Sequence, residues 1–173
     1  MNTRLPRPAA GEAVIDALSA GLRNRLFFRL YQNANLLHKT GTRALESHGM
    51  TTQQWAVLGA LADPRSKAGI SVGDLAGLLM VSRQNLTGVL SRLEARGLIA
   101  RTIDSNDKRS RFICLTEEGL QRWSEMQPLI YEFYQASLAG FSNSDIIAAM
   151  HYLEKLRENF VALEREQGQS EGE

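Results

Sequence analysis

The sequence predicts a mainly α-helical fold with one two-stranded hairpin. Three observations carry that expectation. Apolar residues recur every three or four positions along most of the 173-residue chain. Helix-capping residues stand where those periodic segments begin. One stretch, Leu98 to Ile103 followed by Arg111 to Leu115, reads instead as two strands around a polar tip.

In chain order, residues 1–12 carry Pro6 and Pro8 without periodicity and are expected to form a mobile arm. A long helix is predicted from Ala13. Leu18, Leu22, Leu26, Leu30, Ala34, Leu37 and Leu45 fall on or near one stripe, which Phe27, Tyr31 and Leu36 widen. Gly21 and Gly41 are expected to bend or interrupt it. A stripe this wide calls for cover on two sides, from the chain's own core and from a partner chain. Its polar side is basic, with Arg23, Arg25, Arg29, Lys39 and Arg43. Two readings stand for these cations: a solvated or ion-paired face, or attraction for an anionic ligand.

Gly49-Met50 breaks the pattern. Thr51 and Gln54 form a capping box that starts a short core helix of Trp55, Val57, Leu58 and Leu61. Asp63 to Lys67 is a polar loop whose Pro64 stops the helix before it. Ala68 to Ile70 has the length of a very short strand.

Ser71 to Leu93 is the stretch around which the rest is organised. Ser71 with Asp74 caps a first helix striped by Leu75, Ala76 and Leu79. Met80-Val81 is the turn. Ser82 with Asn85 caps a second helix striped by Leu86, Val89, Leu90 and Leu93. Helices this short need a larger body to pack against. Away from that packing lie Ser82, Arg83, Gln84, Asn85, Thr87, Gly88 and Ser91, with Arg92 beside them. These side chains suit base edges and phosphates, and a helix N-terminus adds unpaired amides. The pattern is that of a helix-turn-helix; the plainer alternative is a solvated helix hairpin.

Gly97 is placed to end the second helix, and the hairpin follows with Asp104 to Ser110 as its tip. A hairpin directly after a recognition helix is a wing. Between Ser82 and Arg111 the basic residues are Arg83, Arg92, Arg96, Arg101, Lys108, Arg109 and Arg111. Only Glu94, Asp104 and Asp107 oppose them, whereas the whole chain has a net charge of just +1. The cationic footprint is therefore local, and Lys108 and Arg109 at the tip suit a narrow minor groove. The alternative for the tip is a solvated loop of mixed charge.

Thr116-Glu117-Glu118 starts a helix striped by Leu120, Trp123, Met126, Ile130, Phe133 and Leu138, with a kink or break expected at Pro128. Gly140 ends it. Ser142 to Asp145 caps a last helix striped by Ile146, Met150, Leu153, Leu156, Phe160 and Leu163, before a polar tail over 164–173. The single Cys114 excludes an intrachain disulfide and fits a reducing compartment. With no leader-like or membrane-length apolar run, a cytoplasmic protein is expected. His38, His48 and His151 are scattered, and no metal-ligand spacing, phosphate-cradling loop or nucleophile motif appears. An enzyme is disfavoured, and no cofactor or metal is expected; a protein-binding module remains the rival to a DNA reader.

Asp104-x-x-Asp107-Lys108-Arg109, then Leu115-Thr116-x-x-Gly119, all after Gly97-Leu98-Ile99, resembles the wing signature of the MarR family of transcription regulators. The resemblance covers 13–163, with a DNA-binding lobe at about 51–116. It implies a winged helix-turn-helix whose long N- and C-terminal helices intertwine in a homodimer on a pseudo-palindromic operator. Leu36 to Leu45, Thr51 to Trp55 and Met80 to Leu86 further resemble a subgroup repressing aromatic-acid catabolism, whose members sense aromatic acids or hydroxycinnamoyl-CoA thioesters. On that resemblance a small-molecule effector sits between the dimerisation helices and the DNA-binding lobe. Tyr31, Asn35, His38, Trp55 and Trp123 are candidates around an aromatic ring, and Arg25, Arg29, Lys39 and Arg43 for its anionic groups. For both tryptophans a core role is the competing reading. Family members that sense oxidants use a cysteine on the first long helix, which this chain lacks; Cys114 is expected to be a packing residue.

Overall fold

The structure, a computed structural model, describes residues 10–103 and 111–170. The hairpin tip with Lys108 and Arg109, and most of the expected N-terminal arm, lie outside the described residues. The chain forms two compact units, one ending at Tyr131 and the other starting at Glu132.

Helix α1 runs from Ala10 to Ala44 without interruption, so it starts three residues before the expected point and passes through Gly21 and Gly41. A glycine inside a helix costs about 1 kcal/mol, too little to break one of this length. A 3-10 turn, Glu46–His48, closes it, and Gly49 turns the chain at φ 62. Helix α2, Thr52–Ala62, opens on the expected Thr51–Gln54 box, with both reciprocal bonds formed. A second 3-10 turn, Pro64–Ser66, leads to strand β1, Ile70–Ser71.

Helix α3, Val72–Leu79, is capped by Ser71, whose hydroxyl accepts from the Asp74 amide at 3.0 Å. Met80 ends it in the left-handed conformation, φ 53. Helix α4, Arg83–Ala95, is capped by Ser82. Gly97, at φ 70, and a Leu98 amide bond to the Leu93 carbonyl close it. Strands β2, Ile99–Ile103, and β3, Arg111–Leu115, pair antiparallel, with Ala100 opposite Cys114. β1 adds to the other edge of β3, giving the order β1-β3-β2.

Helix α5, Glu117–Ser137, continues through Pro128, so of the expected kink or break the break does not occur. Pro128 and Ser124 are both exposed, so water can take the carbonyl that the missing proline amide leaves free. Helix α6, Asn143–Ser170, begins at the expected Ser142–Asp145 cap.

The core of the first unit gathers Met50, Val57, Leu58 and Leu61 with Leu75, Leu98, Ile99, Ile113 and Met126. Leu86, Val89, Leu90 and Leu93 of α4 complete it, each at most 6% exposed. At about 1.5–3 kcal/mol apiece, as an upper estimate, these four side chains seat α4 with a driving force comparable to a whole domain's stability. Its outer face is thereby held rigidly while remaining polar.

Most of α1 has no such seat. From Ala20 to Thr40 every residue is exposed except the half-buried Leu30. Leu22, Leu26, Phe28, Tyr31, Leu36 and Leu37 are each more than half exposed. In α6, Ile147, Met150, Tyr152 and Leu153 stand out likewise.

Candidate nucleic-acid interface

Helix α4 divides cleanly. Its apolar face is buried in the core, whereas Ser82, Arg83, Gln84, Asn85, Thr87, Ser91 and Arg92 are exposed and Gly88 is half-buried. Every DNA-facing candidate described on this helix therefore lies on one accessible surface. The Thr87 and Ser91 hydroxyls donate back to the carbonyls of Arg83 and Thr87, at 2.7 and 3.0 Å. Their oxygens remain free to accept from outside. The Arg83 guanidinium lies over Gly73 of α3; a methyl at that glycine would come within 3.0 Å of it. Among the described residues neither Arg83 nor Arg92 forms an ion pair.

Two cations counted in the local footprint serve inside the protein instead. Arg101 Nε donates to Glu94 at 3.0 Å, joining β2 to the last turn of α4. Arg96 donates to the carbonyls of His48 and Gly49. The surface charge that sequence alone assigns to DNA is thus smaller than the count of arginines. Arg111 starts β3 at the wing.

The Leu115-Thr116-x-x-Gly119 motif acquires a structural meaning. The Thr116 hydroxyl donates to the Gly97 carbonyl at 2.6 Å and accepts from the Gly119 amide at 3.0 Å. The Thr116 amide donates to the Leu98 carbonyl. Gly119 lies so close that a Cβ would stand 1.9 Å from that carbonyl oxygen. The motif locks the root of the wing to α5.

The nine ligand candidates do not share one cavity among the described residues. Tyr31 and Asn35 are exposed on α1. His38 Nδ1 is 2.5 Å from the Thr52 hydroxyl, and Thr42 accepts from the Thr52 amide, so two turns of α1 hold the start of α2. Lys39 and Arg43 line an open cleft of about 460 Å³ with Thr42, Glu46, Gly49, Met50 and Thr51. Arg25 and Arg29 flank Leu22 and Leu26 on another, of about 490 Å³. Trp55 and Trp123 pack against the core. Trp123 fits because Gly59 has no side chain: a Cβ there would be 3.1 Å from its ring. A separate cavity of about 190 Å³, lined by residues of α2 and the start of α4 including Gln53, Val57, Asn85 and Val89, falls on none of the nine.

Among the described residues no cluster of three or more His, Cys, Asp or Glu side chains is placed to hold a metal ion. No helix among them is long and apolar enough to cross a membrane. Cys114 lies beside Gly69, where a Cβ would be 2.7 Å from its sulfur, and within 3.7 Å of the Thr102 hydroxyl.

A capped polar helix seated on a buried face, a preceding helix at a tight turn and an antiparallel hairpin after it define a winged helix-turn-helix. The sequence pattern of the MarR family matches residues 48–110. The transcriptional activatory protein BadR of Rhodopseudomonas palustris is 54% identical over 144 residues, covering 83% of this chain and 82% of that one. The homoprotocatechuate degradative operon repressor of Escherichia coli is 35% identical over 119 residues, covering 69% and 76%. The crystal structure of CouR from Rhodococcus jostii RHA1, bound to p-coumaroyl-CoA, superposes with a TM-score of 0.69 at 22% identity, covering 78% and 93%. The chain belongs to the MarR family and is a transcriptional regulator of that type, not an enzyme.

Proposed function

We propose that this chain is a homodimeric, ligand-responsive DNA-binding regulator of aromatic-compound catabolic genes. The observation that carries the DNA reading is α4, whose exposed face holds polar and cationic groups while its other face is fixed in the core. Ser82, Arg83, Gln84, Asn85, Thr87, Gly88, Ser91 and Arg92 contact one half-site. The wing's Lys108, Arg109 and Arg111 contact the neighbouring backbone or minor groove. Two copies read a pseudo-palindromic operator whose half-sites are a whole number of helical turns apart.

The second copy follows from the uncovered apolar length of α1 and from charge. Between Ala17 and Leu45 the chain has five Lys or Arg and no carboxylate. Helices α5 and α6 carry nine carboxylates against four Lys or Arg. A basic, apolar helix of one copy and acidic helices of another are complementary in both respects.

The effector is an aromatic acid or its CoA thioester. Two similar proteins bear on this: one is named for the homoprotocatechuate degradative operon, and another was crystallised with p-coumaroyl-CoA. Arg25, Arg29, Lys39 and Arg43, which form no ion pair among the described residues, suit carboxylate or phosphate groups. Tyr31, Asn35, His38, Trp55 and Trp123 supply the aromatic and polar contacts. An effector that binds better to the DNA-free arrangement weakens DNA binding by its differential affinity, typically roughly 5- to 150-fold. Repression, relieved by the effector, is the sign of control proposed; activation is the second reading, favoured by the name of the 54% identical relative.

The test is a gel shift on the chain's own promoter fragment, titrated with a panel of aromatic acids, their CoA thioesters and free CoA. Release of the DNA by one aromatic compound and not by free CoA is expected. A panel without effect removes the effector class. A reporter on the same promoter in a deletion strain gives the sign: expression rises for a repressor and falls for an activator.

A further inference from the structure

The last turn of α4 is tied to the end of α1 by one side chain. Arg96 follows α4 directly, and its backbone amide donates to the Glu94 carbonyl. Its Nη1 donates to the Gly49 carbonyl at 2.8 Å and lies 3.1 Å from the Met50 sulfur. Its Nη2 donates to the His48 carbonyl at 3.0 Å. The acceptors are distant in sequence and belong to the turn that closes α1 and leads into α2.

Those two carbonyls belong to the last residue of the 3-10 turn and to its cap, Gly49, whose φ of 62 turns the chain there. A charged donor forms a stronger hydrogen bond to a carbonyl than a neutral one does, so a guanidinium is favourable there. A planar guanidinium holds two carbonyls in one fixed fork geometry, which a freely rotating ammonium on a flexible stem does less well. The anchor is firm, because Met50 is 2% exposed and its amide is bonded to the carbonyl of the buried Leu45. On its other side the same turn of α4 is joined to β2 through Glu94 and Arg101.

We propose that Arg96 is a positioning residue for DNA recognition. It fixes the recognition helix against the end of α1, so that a movement of α1 reaches the DNA-reading face, and it does not contact DNA itself. The proposal rests on the DNA-binding reading above. Arg96 stands roughly 20 Å along the helix from Ser82, at the opposite end from the cap and first turn that lead the reading face. A small rotation allowed at this end becomes a displacement at the other. Both of its Nη atoms already donate to acceptors within the protein.

The measurement is DNA affinity of full-length Arg96→Met and Arg96→Lys across a range of salt concentrations. The probe is a duplex selected from a random pool by the wild-type chain. Arg92→Ala serves as the comparator for a lost phosphate contact. If release of α4 leaves about one chain in ten with the recognition helix in its binding arrangement, Arg96→Met binds about tenfold weaker at every salt concentration. Its slope of log affinity against log salt stays at the wild-type value, while Arg92→Ala loses about 0.9 of slope. Arg96→Lys, retaining the charge and part of the bonding, falls between. Thermal melts confirm that each variant is folded at the assay temperature. Unchanged affinity in folded Arg96→Met, with only its melting temperature lowered, overturns the positioning role. A slope reduced by about 0.9 overturns it too, because Arg96 would then be a phosphate contact. If Arg96→Met does not fold, the same two readouts on Arg96→Lys decide. Failure of the wild-type chain to select any duplex sinks the DNA-binding reading itself, which is a separate outcome.

Discussion

Gly119→Ala is expected to destabilise the first unit by about 3–5 kcal/mol, and the figure follows from the geometry. The added methyl would stand 1.9 Å from the Leu98 carbonyl oxygen and 2.9 Å from its carbon, both main-chain atoms. No rotamer change relieves a clash with backbone, so the Leu98 backbone just before β2 and the start of α5 must part. Overpacking alone costs about 1–3 kcal/mol. Parting also stretches the Thr116 bonds to the carbonyls of Leu98 and Gly97, worth about 1 kcal/mol each. For a chain of this size each kcal/mol shifts the midpoint by about 2–4 °C, so a fall of roughly 10 °C is predicted. The assay is thermal unfolding by circular dichroism at fixed protein concentration. Gly77→Ala is the control, since a Cβ there meets nothing within 4 Å. That variant should be neutral or gain up to about 1 kcal/mol of helix propensity. A Gly119→Ala midpoint within about 2 °C of wild type would refute this account of the motif.

Three other expectations follow from single features. Ser82→Ala removes the bond from the Asn85 amide at the start of α4 and should cost about 1 kcal/mol in urea unfolding; an unchanged midpoint would mean the cap contributes nothing. Leu22→Glu with Leu26→Glu places charges on the uncovered stripe of α1 and should yield monomers by analytical ultracentrifugation, whereas a persisting dimer would remove that face from the interface. Hydrogen bonds from Arg65 hold the Asp63 carboxyl at about 2, below its ordinary 3.8. The stabilisation from this pair is therefore present above the ordinary value and lost as pH falls through about 2. Melts of Asp63→Asn and wild type should differ above pH 4 and converge near pH 2, and a constant gap down to pH 2 would contradict the pairing.

What was legible in the sequence is what local chemistry dictates. Thr51, Ser71 and Ser82 cap helices because a side-chain oxygen can reach an amide three residues on, and that spacing is visible in a string of letters. The alternation of Phe112, Ile113 and Cys114 similarly announced a strand. Effects set by distant neighbours were not legible. Arg96 and Arg101 read as surface charge until their partners were placed beside them. Gly119 read as a motif letter, and only the Leu98 carbonyl explains it. Whether Pro128 breaks α5 depends on whether the freed carbonyl meets water, which a string of letters does not show. The ligand candidates are the least legible. Those on α1 face outward, and their surroundings in the regulator depend on what covers that helix.

The central claim is that paired α4 helices enter successive major grooves. Dimethyl sulfate protection of guanine N7 on the selected duplex reports on that groove directly. Two protected tracts, separated by a whole number of helical turns and both lost in Gln84→Ala/Asn85→Ala, are predicted. A bound complex that leaves every guanine N7 reactive, or that protects a single tract, would contradict it.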